Sequence, residues 1–158
     1  MGHTLDIRKS SRSRAIGRRP LERLTRRVVQ TVLDGEGLVA AEVGVWFVDD
    51  PTIRRLNRRY RRLDRPTDVM AFELSDPPER RRPGAVLGDV VISVTTAHRQ
   101  AASLGHPLEV ELALLIVHGV LHLLGCDHDR PSDAARMRRK ERAYLAACKV
   151  RSIRQPVS

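Results

Sequence analysis

Aromatic side chains are scarce in this chain: Phe, Trp and Tyr together make up 3% of its 158 residues. The core must therefore be built from Leu, Val, Ile and Ala, and few flat rings remain for stacking on nucleobases. Only two cysteines are present, Cys126 and Cys148, in no C-x-x-C pair. That argues against a disulfide framework and suits a reducing compartment, the cytoplasm. The longest apolar run, residues 112–117, is far too short to span a bilayer. The N-terminal segment has Arg and Ser but no apolar stretch, so it does not read as a secretory signal. Residues 8–19 are basic and Ser-containing, yet without the amphipathic face of an organelle transit peptide. Lysine is rare as well, and nearly all the positive residues are arginine.

What is present is charge of one sign. The net charge is +10, with 30% charged and 41% hydrophobic residues, ordinary for a globular protein apart from the excess. Arginine makes bidentate contacts to phosphate oxygens, which favours a nucleic-acid partner first and an anionic membrane surface second. An Arg-biased genome explains the choice of Arg over Lys but not the excess of charge. The length suits one domain over 1–158, with flexible tails expected at 1–4 and 151–158.

Periodicity orders that domain. A short strand is expected at 5–8, then a helix entered near Pro20 with Leu21, Leu24, Val28, Val29, Val32 and Leu33 on one face. Residues 43–48 read as a strand. Asp50 is expected to cap a helix with Pro51 at its first position, carrying Ile53, Leu56, Asn57 and Tyr60 on one face and arginines elsewhere. Strands follow at 69–74 and 86–94, the second central. Helices follow at 96–104, at 109–124 (the most apolar) and after Ser132, read as a cap. In the last helix Met137, Glu141, Tyr144, Leu145 and Cys148 share a side. The order implies an α+β fold, a small mixed sheet packed by about five helices, with a zincin-like metal helix at its core.

Residues 118–128 read HGVLHLLGCDH. His118 and His122 lie four apart, on one helical face. Gly125 permits a left-handed turn, and His128 can return to close a triangle of three imidazoles. Three such ligands leave a fourth position open, as in a catalytic rather than a structural zinc site. Asp127 and Asp129 could orient a ligand imidazole or be ordinary loop residues; Cys126 could face the metal, but reads first as a small apolar filler. The spacing also describes metzincin peptidases, but Gly119 stands where those enzymes carry a glutamate base. Glu109 and Glu111 lie about two helical turns away, too far to replace it.

Three separated motifs resemble the YbeY family of rRNA-maturation endoribonucleases. LNRRYRRLDRPTDV at 56–69 is similar to the family's LNxxYRxxDxPTDV, LGDVVI at 87–92 to LGDIxI, and HGVLHLLGCDH to HGxLHLLGxDH. The likeness spans residues 42–145. It implies an α+β fold, one Zn2+ per chain on His118, His122 and His128, and an arginine near the metal that matches Arg61. It further implies cleavage of single-stranded RNA in small-subunit (16S) rRNA 3′-end maturation and ribosome quality control. Its implied partners are rRNA and the small ribosomal subunit, a small-subunit ribosomal protein and an Era-type GTPase. Met70-Ala71-Phe72-Glu73 departs from the family's LSFP, and Cys126 replaces a usual aromatic.

Arg61 suits the catalytic role, because a fixed guanidinium can stabilise the charge of a pentacoordinate phosphorane. Docking a phosphate, or pairing with Asp64 or Asp68, are its alternatives. Arg58, Arg59, Arg62 and Arg65 read as a phosphate-tracking face; Thr67 and Asp68 read as the cleft floor, and Asp68 equally as a turn cap. Two other functions stay open: a metal-dependent hydrolase of another substrate, such as a peptidase, and a non-catalytic ribosome-assembly factor with a structural zinc.

Overall fold

The most apolar stretch of the sequence becomes the centre of the structure. In the computed structural model, which describes residues 2–10, 15–126 and 130–150, four strands and five helices follow in the order expected from periodicity. They are β1 (Thr4–Lys9), α1 (Arg18–Gly35), β2 (Glu42–Val48), α2 (Asp50–Arg61), β3 (Val69–Glu73), β4 (Val86–Ser93), α3 (Val94–Leu104), α4 (Leu108–Leu123) and α5 (Pro131–Ala147). Helix α4 is apolar on nearly every side, so it is stable only when surrounded. It packs against α1, α3, α5, β3 and β4, and Leu112, Ile116, Val117, Val120 and Leu121 are fully buried. Among the described residues no single helix is long and apolar enough to cross a membrane.

The sheet order is β1-β2-β4-β3, with β1, β2 and β4 parallel and β3 antiparallel to β4. This is the mixed sheet of an α+β fold. The period of two along each strand divides its faces. Val43, Val45, Phe47, Leu87, Val90 and Ile92 enter the main core beneath α4, whereas Val48, Met70 and Val91 meet Ile53 of α2 on the other face. Helix α2 covers only part of that second face. β3 is an edge strand, so one of its faces looks toward α4 and the other toward α2.

Three local expectations are corrected. Asp49, not Asp50, caps α2, its carboxylate accepting from the Thr52 N–H at 2.9 Å. Asp50 instead accepts from Ser93 Oγ and Thr96 Oγ1, both at 2.6 Å, and pairs with Arg99 at 2.8 Å. Those partners fix α2 to the start of α3 and decide which of the tandem aspartates caps. Ser132 lies inside the first turn of α5, which begins at Pro131 with Arg130 before it and no side-chain cap. A proline pre-set to a helical φ starts the helix without a hydroxyl. The expected tail at 1–4 is shorter: Thr4 opens β1, and the His3 ring accepts from the Ala41 N–H at 3.0 Å and meets Asp34 at 2.8 Å. Residues 151–158 lie outside the described residues.

Candidate active site

Two histidines of α4 face one cleft. Residues four apart share a helical face, and the rings of His118 and His122 lie 6.4 Å apart with planes 14° from parallel. The His118 Nδ1–H donates to Oε1 of Glu141, on α5, at 2.7 Å. The Glu141 side chain is only 14% exposed. A carboxylate on Nδ1 fixes the tautomer and the ring orientation, and directs Nε2 toward a metal. The pair and its carboxylate therefore fit a metal site. Among the described residues no three His, Cys, Asp or Glu side chains converge. His128, the third expected ligand, and Asp127 and Asp129 lie outside the described residues. Gly125 does adopt the expected left-handed turn, at φ +88°.

Gly119 has a packing reason. A Cβ there would lie 2.4 Å from Cγ1 of Val90, so α4 meets β4 closely enough that a side chain enters only if Val90 gives way. A glutamate at this position would have to displace the Val90 side chain. Glu111 is no substitute, because it pairs with His106 at 2.7 Å at the far end of α4. The missing base is thus a consequence of how the core helix meets the sheet.

The opposite wall comes from the α2–β3 connection. Arg61, Thr67, Asp68, Val69 and Ala71 line, with His118, Gly119 and His122, a cavity of about 230 Å3. Buried Asn57 holds this connection. Its Nδ2 donates to the Arg65 carbonyl at 2.9 Å, and its own carbonyl accepts from the Leu63 N–H at 3.3 Å. Asp68 is fixed on the floor, accepting from the Val69 N–H at 2.8 Å and from Gln100 Nε2 at 3.3 Å. Asp64, one expected partner of Arg61, pairs with Arg54 at 2.9 Å instead. Arg61 makes no ion pair among the described residues, so its guanidinium is left to the cleft.

The other arginines are not brought there. Arg58, Arg59, Arg62 and Arg65 are exposed. Arg58 lines a separate cavity of about 480 Å3 with Arg54 and Arg55, and Arg59 lies 5.5 Å from the centre of the Tyr60 ring. Cys126 is half-buried against the core, as a filler would be, and burial pushes its thiol above the ordinary range.

Glu141 is the site residue that sequence reasoning missed as a partner of His118. Its signal was present: a lone carboxylate on the side of α5 that carries Met137, Tyr144 and Cys148 toward the core. Glu141→Gln keeps the shape and removes the charge. It is expected to weaken metal affinity about 10- to 100-fold, read by competition with a chromogenic chelator. Unchanged affinity would mean that the carboxylate only braces α5.

A mixed four-stranded sheet whose core helix presents paired histidines to an arginine-faced cleft defines an α+β class with metal-type chemistry. The chain belongs to the endoribonuclease YbeY family, whose sequence profile matches residues 6–149. It is similar to the endoribonuclease YbeY of Moorella thermoacetica, 48% identical over 79% of this chain and 85% of that one. The endoribonuclease YbeY of Pelotomaculum thermopropionicum is 49% identical over 77% and 82% of the two chains. A solution structure from Thermotoga maritima superposes with a TM-score of 0.65 at 27% identity, over 92% of this chain and 89% of that one. The likeness therefore begins at Asp6, well before the 42–145 span that carries the motifs.

Proposed function

We propose that the chain is a zinc-dependent endoribonuclease that cuts single-stranded RNA in the cytoplasm, with its metal on His118, His122 and His128. Family membership supplies the reaction type: hydrolytic chemistry on RNA. The observation that carries the rest is one cleft faced by both α4 histidines and by Arg61. The substrate is small-subunit rRNA near its 3′ end. The partners are the small ribosomal subunit, one of its proteins and an Era-type GTPase.

When bound, zinc supplies Lewis acidity toward a phosphoryl oxygen and toward water. The chain's own residues do the remaining work. Arg61 neutralises charge that accumulates on the non-bridging oxygens as the phosphorus becomes pentacoordinate. Glu141 holds the His118 ring in one orientation. Thr67 and Asp68 form a polar floor, and the arginines of α2 attract the RNA backbone through a salt-sensitive, sequence-independent term. No base comes from position 119, so the proton is taken by the substrate or by a group across the cleft.

The test is steady-state cleavage of a labelled single-stranded RNA, with and without a chelator and with zinc restored. Arg61→Ala is expected to lower kcat by about 10²- to 10³-fold, the loss of one donor to a developing oxyanion. A rise in KM at unchanged kcat would instead mark Arg61 as a docking residue. The cut ends identify the nucleophile, since a 2′,3′-cyclic phosphate marks attack by the RNA's own 2′-hydroxyl. Zinc-loaded protein that leaves every RNA intact would point to an assembly role.

A further inference from the structure

The scarce aromatic residues are not scattered. Trp46 of β2, Tyr60 of α2 and Phe72 of β3 are the chain's single tryptophan, one of its two tyrosines and one of its two phenylalanines. With Leu56, Asp89 and Val91 they line one groove of about 260 Å3, on the sheet face that α2 leaves partly open. Tyr60 meets Phe72 edge-on at 5.2 Å, and Tyr60 and Trp46 stay 57% and 37% exposed. The volume lies just below the roughly 300–1,000 Å3 of drug-sized pockets, which suits a single flat ring system.

The groove carries one carboxylate and is flanked by cations. Asp89 lies against Gly44, where an added Cβ would come 2.2 Å from its Oδ1. Among the described residues it accepts no hydrogen bond and forms no ion pair, and burial together with Asp6 holds its carboxyl above the ordinary range. Arg8 lies 5.1 Å from the Trp46 ring centre and Arg59 5.5 Å from that of Tyr60. Aromatic faces for a base, cations for the phosphates on either side and an acceptor for a base edge together match single-stranded RNA.

We infer that this groove is a nucleobase subsite that seats a guanine of the RNA substrate, with Asp89 as the residue that selects it. Guanine presents N1–H and N2–H donors side by side, which the two oxygens of one carboxylate can accept. Uracil and adenine oppose a carboxylate with acceptors beside a single donor group, and cytosine offers only its amine. The subsite rests on the endoribonuclease reading for its substrate and adds a preference to it. Strand β3 joins the two sites, since Val69 and Ala71 line the histidine cleft while Phe72 lines the groove. One strand of RNA laid over this edge reaches both.

Trp46 makes the test direct, because its emission reports on this groove alone. Stopped-flow fluorescence records binding before cleavage, using short oligouridylates that carry one guanosine, inosine or adenosine. The guanosine RNA is expected to quench Trp46 and to bind about ten-fold more tightly than the adenosine RNA, with inosine between. Asp89→Asn should erase that preference, leaving the three RNAs within about two-fold of one another in affinity. Tyr60→Ala should weaken all three about ten-fold without changing their order. Unquenched Trp46 at saturating RNA, or a full guanosine preference in Asp89→Asn, overturns the subsite. Quenching without any RNA cleavage would sink the nuclease reading alone, so the two failures are distinguishable.

Discussion

Replacing His122 by alanine is expected to lower RNA cleavage about 10³-fold or more while the fold survives. A bound cation stabilises transition-state charge by several kcal/mol, and each ~1.4 kcal/mol is a factor of ten in rate. His122 lies on the cleft-facing side of α4, partly exposed, and the helix is held by its other faces, where Ile116, Val120 and Leu123 are fully buried. Truncating the imidazole therefore removes chemistry before it removes packing. Elemental analysis of purified protein is the companion measurement. The wild type should carry about one equivalent of zinc and the variant much less, with far-UV circular dichroism unchanged. His118→Ala should behave likewise, with an added loss because the Glu141 carboxylate is stranded at 14% exposure. Wild-type rates in either variant would remove the α4 pair from the reaction, whatever the metal content.

Gly88→Ala is expected to produce the largest loss of stability among single-methyl changes. Gly88 has φ +139°, and an added Cβ would fall 2.0 Å from the carbonyl oxygen of Phe72. That obstacle is main chain and cannot swing aside. Strain of about 1–3 kcal/mol at such a φ adds to about 1–3 kcal/mol of overpacking, so a loss of roughly 2–6 kcal/mol follows. For a chain of this size it corresponds to a fall in Tm of roughly 4–24 °C. The position also governs register, because the β2–β4 pairing steps from Glu42↔Val86 to Val43↔Gly88, leaving Leu87 as an extra residue. Urea denaturation and scanning calorimetry check it, and a loss below about 1 kcal/mol would show that β3 moves away at little cost.

Much of this architecture was legible because periodicity writes it directly into the sequence. The nine elements follow from switches between spacings of two and of 3.6, and the burial of α4 follows from its being apolar on all sides. The sheet order β1-β2-β4-β3 was not legible, since it depends on which strands share a core rather than on any one strand. The tandem pair Asp49-Asp50 shows the limit at short range: either can cap, and the choice is made by Ser93 and Thr96, more than forty residues away. His118 and His122 were readable because both lie on one helix. The aromatic groove was not, because Trp46, Tyr60 and Phe72 come from three elements and carry no shared spacing. Scarcity in the composition suggested little stacking; three of the few rings nonetheless line one groove.

The close approach of α4 to β4 at Gly119 and Val90 couples two positions that are far apart in the chain. A lineage carrying this contact does not readily acquire a peptidase's glutamate by one substitution, because the new side chain would first have to displace Val90, a branched and fully buried residue of β4. Each single step is unfavourable, and only the double change opens the route. The packing of one glycine therefore acts as an evolutionary ratchet, holding this histidine helix to chemistry in which the proton acceptor lies elsewhere.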